Sequence, residues 1–311
     1  RICFINKELP AAEAEILSNV LFSPENESFI QLESDEFLAD YTLLCWAGMY
    51  YLTKAGDWYR PLVMPVFTED EQAAELLLAQ LQHMAQWHFM LDLRNDSATK
   101  IPLDLLQVEV MDAKGNLMSL KDGVLDAPVT YDGTVDGRPH YGSSITVKVK
   151  NNGPQDIYVQ PVLMMDYGCM VNIISNPDGG RPIETGGTEA LQFNIDGQKI
   201  TSIPLEIDDS VRLFNRPVSS STLKFIVSLS PINGSAKLDL EVLPLPHELI
   251  NVRETSRGDT SKGSFAVNKQ TQTLPDDGWN AFNIEVRTKN PMFDAPDWTE
   301  LNKYMAPETG N

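Results

Sequence analysis

Three cysteines and four histidines are the first residues of this 311-residue chain to consider as nucleophile, base or metal ligand. Cys169 follows Asp166-Tyr167-Gly168, a run typical of a tight turn, and begins the second of two apolar stretches. A nucleophilic cysteine needs a lowered pKa and a base in reach, and the nearest histidine in sequence is His140. A buried thiol is the favoured interpretation. A cysteine peptidase built on Cys169 and His140 stays open as the less favoured one.

The sequence contains no convincing metal-binding or phosphate-binding motif. His83 and His88 are five residues apart, so they would not share a helix face as a chelating pair, and we expect core or rim roles for both. The stretch "NPDGGRPIETGG" has no lysine followed by serine or threonine, so the P-loop pattern is missing. Asp132 and Asp136 precede glycines without the other ligands of a calcium loop, so hairpin turns explain them. We predict no catalytic residue, no metal ligand and no cofactor.

Aromatic side chains are concentrated in one short stretch. Between residues 41 and 59 they are Tyr41, Trp46, Tyr50, Tyr51, Trp58 and Tyr59. Such a set can form a binding platform for a ligand or partner, and Trp46, Tyr50, Trp58 and Tyr59 are the candidates for it. The favoured alternative is that these rings cover the long helix that follows and belong to the core.

The charge balance excludes several partners. The chain carries 24 basic and 44 acidic residues, a net charge of −20, of which about −10 falls in residues 1–100. Such a surface repels a phosphate backbone, so we expect no nucleic-acid partner.

The most apolar long segment, residues 72–91, is interrupted by Glu75, glutamines and two histidines, and we expect no membrane span. Three widely spaced cysteines favour reduced thiols and a cytoplasmic location.

The elements that position these residues change in character near residue 100. Residues 1–100 read as a small α/β subdomain: an amphipathic helix in "LPAAEAEILSNVLF", three β runs from residue 39 to 67, and a long helix over 69–93. Thr68 and Glu71 have the spacing of a capping box, and the helix should be roughly 36 Å long. Because Leu76, Leu78, Trp87 and Phe89 widen its apolar stripe, it should pack on more than one side.

Residues 101–311 show the alternating pattern of short strands. Seven or more runs from "LDLLQVEVMD" to "AKLDLEVLPL" recur with Gly, Asn, Asp and Pro between them, and "WNAFNIEVRTKN" adds a last strand. They predict an antiparallel β-sandwich, with residues 251–278 as an exposed loop and an extended tail. The fold class is therefore α+β, a small α/β subdomain followed by a sandwich.

Several of these stretches resemble the region downstream of the peptidase domain in caspase-like (metacaspase-type) proteins. The resemblance rests on Ala39-Asp40, on the helix end from Trp87 to Leu91, and on "VKNNGPQDIYV" from Val149 to Val159. It implies a non-catalytic part of a cysteine peptidase. No histidine is followed by glycine and Cys169 is not in the family's acidic context, so no catalytic residue carries over. We expect the chain, which starts at Arg1, to be a fragment.

The function predicted from the sequence is a binding and regulatory module that docks to a caspase-like peptidase domain or to its substrate. The alternative is a stand-alone sandwich that binds a carbohydrate or cell-surface ligand through the aromatic stretch.

Overall fold

The computed structural model describes residues 2–5, 15, 17, 19, 30–35, 38–57, 60–95, 101–135, 137–165, 171–174, 182–195, 198–207, 211–212, 215–232 and 278–293. One long helix, α1, spans Ala73–Asp92. The strands are β1 Ile2–Ile5, β2 Gln31–Leu32, β3 Tyr41–Trp46, β4 Met49–Lys54, β5 Val66–Phe67, β6 Leu106–Asp112, β7 Val124–Asp126, β8 Thr130–Val135, β9 Arg138–Asn151, β10 Ile157–Met165, β11 Val171–Ile174, β12 Pro182–Ile183, β13 Thr188–Ala190, β14 Phe193–Ile195, β15 Gln198–Ile200, β16 Ser202–Glu206, β17 Val218–Ser228 and β18 Trp279–Lys289.

The N-terminal sheet has five strands in the order β2-β1-β3-β4-β5. Strands β3, β4 and β5 form the antiparallel meander predicted from the β runs, whereas β1 pairs in parallel with β2 and β3 and was not predicted. Within the predicted N-terminal helix, Leu17 is helical and buried, while the helical residues Glu15 and Asn19 are exposed. This part of the chain therefore mixes parallel and antiparallel pairing.

Helix α1 begins later than predicted, because Thr68 does not cap it. The Thr68 hydroxyl donates to the Gly48 carbonyl at 3.2 Å, and the N-cap residue Gln72 makes no side-chain capping bond. Instead, the Asp70 carboxylate accepts the Gln72 amide at 2.9 Å within the preceding turn. The capping-box prediction is wrong, and the helix of 20 residues is about 30 Å long.

Helix α1 lies between two sheets. One continuous core joins Leu43 of the N-terminal sheet, Leu77 and Met84 of the helix, and Val162 and Ile226 of the sandwich. The prediction that the helix packs on more than one side is confirmed. Its apolar stripe is narrower than expected, however, since Leu76 and Phe89 are 36% and 56% exposed.

The sandwich consists of two packed sheets. One has the order β11-β10-β17-β18-β7 with β12 also on β10, and the other is built around the long strand β9, which pairs with β6, β8, β13 and β16. Their inner faces meet in a second core that includes Val147, Phe225 and Ile284. The α+β class is confirmed, and among the described strands of the sandwich β7 departs from antiparallel order, because it pairs in parallel with β18.

Hydrogen bonds join the N-terminal region to the sandwich. The Asn95 amide donates to the Trp279 carbonyl at 3.1 Å, and the buried Arg216 guanidinium donates to the Pro61 carbonyl at 3.3 Å. A domain boundary near residue 100 stays a prediction.

The predicted strand "AKLDLEVLPL", the loop over 251–277 and the tail from residue 294 lie outside the described residues. Among the described helices, none is both long and apolar enough to cross a membrane.

Candidate functional site

The β3–β4 hairpin ends in a two-residue turn at Ala47 and Gly48. Both have positive φ, 51° and 74°, the combination of a type I′ turn that follows the twist of the paired strands. Gly48 adopts this conformation without strain, whereas Ala47 does so at a cost of about 1–2 kcal/mol. The turn closes with Trp46 opposite Met49. It therefore fixes which side chains stand at the end of the sheet.

Trp46, Met49 and Phe67 form a row across three neighbouring strands. Trp46 pairs with Met49, and Met49 pairs with Phe67, so all three side chains leave the same face of the sheet. The indole is 74% exposed and the Phe67 side chain 50% exposed. Large apolar side chains that stand together at the surface of a sheet are unusual in a single soluble domain and mark contact sites.

Tyr51 continues this row along β4. Its ring centroid lies 6.5 Å from that of Trp46 with the planes tilted by 45°, and its hydroxyl contacts the Met49 sulfur at 3.8 Å. Burial, and secondarily Cys45, raises the pKa of Tyr51, so its hydroxyl remains a neutral donor. We call Trp46, Met49, Tyr51 and Phe67 the hairpin patch.

The opposite face of the same strands is core, and it corrects part of the sequence prediction. Tyr50 is 4% exposed and packs in the core formed with α1, together with Leu43 and Leu52. Tyr50 therefore does not belong to an exposed aromatic surface, because strand alternation turns it away from its neighbour Tyr51. Trp58 and Tyr59, also in that prediction, lie outside the described residues. Met49 and Phe67 were not foreseen.

An acidic turn adjoins the hairpin patch. Phe67 is followed by Thr68, whose amide and hydroxyl both donate to the Gly48 carbonyl, at 3.0 and 3.2 Å. These two bonds hold the turn against the tip of the hairpin. Glu69, Asp70 and Glu71 come next and are all exposed. Three carboxylates thus border the apolar row, and the Asp70 carboxylate is oriented by the Gln72 amide.

The two histidines of α1, His83 and His88, pack within the fold. His83 is buried, and the Tyr41 hydroxyl is hydrogen bonded to Nε2 of His88. The rings of Trp87 and His88 meet edge to face, with centroids 5.1 Å apart. Core and rim roles for the two histidines are confirmed. No cluster of three or more His, Cys, Asp or Glu side chains suited to a metal ion occurs among the described residues.

His140 lies in a different neighbourhood, on β9. Its Nδ1 is 3.8 Å from the Asp132 carboxylate and its Nε2 is 3.8 Å from that of Glu206. An irregularity in the β8–β9 pairing between Tyr131 and Gly133 brings Asp132 to this side. Cys169 is outside the described residues, so its pairing with His140 stays untested. Cys45, on β3, is half-buried.

Comparison with known proteins adds nothing to these observations. No protein-family model matches the chain, and neither a curated protein nor a solved structure resembles it to a significant degree. The resemblance to caspase-like proteins gains no support from these comparisons and stays a prediction.

Proposed function

We propose that this chain is a binding module that docks a partner protein through the hairpin patch, and that the docked segment is apolar and positively charged. The proposal rests on one observation: Trp46 and Phe67 are exposed on the two strands that flank β4, with Met49 of β4 between them. Aromatic side chains in such positions are the residue types that dominate protein interfaces. A caspase-like peptidase domain, suggested by the sequence resemblance, is one candidate partner.

The backbone beneath the hairpin patch favours docking. Its strands are held by the type I′ turn, by the Thr68 bonds to Gly48 and by the buried face around Tyr50. A site that is already ordered loses little conformational freedom when a partner binds, so more of the contact energy appears as affinity. The carboxylates beside the patch favour a basic segment and oppose an acidic one.

Peptide panels of matched apolar content test this proposal. Three sets that carry basic, acidic or neutral polar residues between the apolar ones would be titrated by fluorescence anisotropy. We expect the basic set to bind best, and the double variant Trp46→Ser with Phe67→Ser to lose binding. The matched control changes Leu117→Ser and Tyr131→Ser, which are 69% and 60% exposed elsewhere, and should bind normally.

Two results would overturn the proposal. One is binding that the hairpin-patch variant does not weaken, and the other is no binding by any set at about 1 mM, where the affinity is only about 4 kcal/mol. A parallel oligosaccharide panel covers the carbohydrate alternative. Sugar binding lost in the same double variant would assign the surface to a glycan instead of a protein.

A further inference from the structure

The charged residues in the segments that build the hairpin patch and the acidic turn are all acidic. Glu69, Asp70 and Glu71 follow Phe67 directly, and no lysine or arginine occurs in the stretches 41–53 and 61–71 that build the hairpin, β5 and the acidic turn. The nearest basic residues in sequence are Lys54, at the opposite end of β4 from the turn, and Arg60, whose guanidinium pairs with Asp57 at 3.2 Å. The acidic turn therefore lacks a cation from its own segment.

The aromatic member of the hairpin patch beside the hairpin turn, Trp46, is also the best ring for a cation. Trp46 is the last residue of β3 and is 74% exposed, so much of its indole surface is open. Among side-chain rings, the indole attracts cations most strongly. Its strand position is fixed by the pairing with Met49, and the Gly48 carbonyl of the same turn binds Thr68, next to Glu69.

Resting on the proposed function, we infer that the docked segment presents an arginine, with its guanidinium on Trp46 and paired with the acidic turn. A guanidinium can stack on an aromatic face and bind a carboxylate with two parallel N–H donors at the same time. A lysine ammonium is a compact, strongly hydrated charge that does one or the other less well. The combination of an exposed indole and bordering carboxylates thus selects arginine over lysine.

The test uses one peptide in four versions. The probe is acetyl-Gly-Ser-Arg-Val-Arg-Val-Arg-Ser-Gly-amide, and the other versions replace every Arg with Lys, with citrulline or with Ser. Citrulline keeps the planar shape and removes the charge. We expect the Arg version to bind about five to ten times more tightly than the Lys version, with the citrulline version weaker still and the Arg preference reduced at high ionic strength.

Two variants separate the contribution of the indole ring from that of the acidic turn. Trp46→Leu keeps an apolar side chain but removes the ring, and Glu69→Gln with Glu71→Gln removes two charges of the acidic turn. Each should reduce the preference for Arg over Lys or citrulline. The matched control, Glu184→Gln with Glu189→Gln, neutralises two exposed carboxylates of the sandwich and should leave the preference unchanged.

The outcomes separate this inference from the proposed function. Equal binding of the Arg and Lys versions, lost in the Trp46→Ser and Phe67→Ser double variant, overturns the arginine inference and leaves the docking surface standing. Equal binding of all four versions, lost in the same double variant, overturns the arginine inference and also the positive charge of the docked segment, and leaves only an apolar docking surface. Binding that neither variant of the hairpin patch nor of the acidic turn changes overturns both.

Discussion

The Lys224 ammonium donates a hydrogen bond of 2.9 Å to the carbonyl of Leu93, the residue that follows the last turn of α1. It also reaches the Leu91 carbonyl at 3.2 Å and the Asn283 side chain at 3.1 Å. The last turn of α1 has no basic residue of its own. A strand of the sandwich therefore supplies the cation that a helix C-terminus favours.

Removing this lysine should destabilise the protein. Lys224→Met leaves the Leu93 carbonyl without its Lys224 donor in a buried setting, and we expect a loss of about 1–3 kcal/mol in the free energy of unfolding at pH 7. Urea denaturation measures it. Lys289→Met, an exposed lysine on the neighbouring strand β18, is the control and should change little. Equal effects of the two variants would contradict the capping role.

Lys224 should also make stability depend on pH. Burial, with Arg94 as a secondary cause and Asp92 opposing it, lowers the pKa of Lys224 to about 8. Between about pH 8 and 10.4 the unfolded chain keeps a proton that the folded chain has lost, so stability increases with pH in this window. Relative to Lys224→Met, the wild type should gain up to about 3 kcal/mol from pH 7 to 10. A difference that stays flat would refute this.

The hairpin turn offers a stabilising substitution. Ala47 has a φ of 51°, which asparagine tolerates better, and Asn-Gly is the preferred pair for a type I′ turn. We expect Ala47→Asn to raise the free energy of unfolding by about 1 kcal/mol. Gly48→Ala is the opposing variant and should lower it, because a residue with a Cβ is strained at a φ of 74°. The strain comes from the backbone and not from a clash, since the added Cβ would meet only Thr68 Oγ1, at an ordinary 3.9 Å. In thermal denaturation, Ala47→Asn should raise the midpoint temperature and Gly48→Ala should lower it.

Trp46 and Tyr50 should differ sharply when truncated. Trp46→Ser removes a side chain that is 74% exposed, so the free energy of unfolding should change by about 0.5 kcal/mol or less. Tyr50→Ser creates a cavity in the core and should cost about 3–5 kcal/mol. Chemical denaturation of both variants compares them. A large loss for Trp46→Ser would mean that the indole stabilises the fold and would weaken its role in docking.

Asn151 should be essential at one corner of the sandwich. Its amide nitrogen donates to the Gln155 and Ile183 carbonyls at 2.8 and 2.9 Å, and its oxygen accepts the Gly153 amide at 2.8 Å. Asn151→Ala removes these three hydrogen bonds from a largely buried corner and should lower the free energy of unfolding by about 2–4 kcal/mol. The adjacent exposed Asn152→Ala is the control. Similar unfolding midpoints would show that the corner does not need the Asn151 side chain.

The density of aromatic residues along the hairpin predicted part of the candidate site and missed part of it. The density of aromatic residues drew attention to Trp46 and, wrongly, to Tyr50. The period of two in "LLCWAGMYYL" puts Tyr50 and Tyr51 on opposite faces, but both faces are apolar, so it does not show which one is buried. Phe67 carried no such signal. It lies 18 residues after Met49 and reaches it only because β5 pairs with β4. The row across three strands is a product of strand pairing, which local periodicity does not encode.

The amino-acid sequence determined the local elements: the meander, the long helix, most of the sandwich strands and the strongly acidic charge. These follow from the spacing of apolar and turn residues over a few positions. Tertiary packing decided which surfaces are buried. Alternation alone would leave Lys224 on a solvated face opposite Leu223 and Phe225, yet α1 covers that face and makes the lysine a helix cap. Burial depends on what packs above a strand, and contacts far apart in sequence set that.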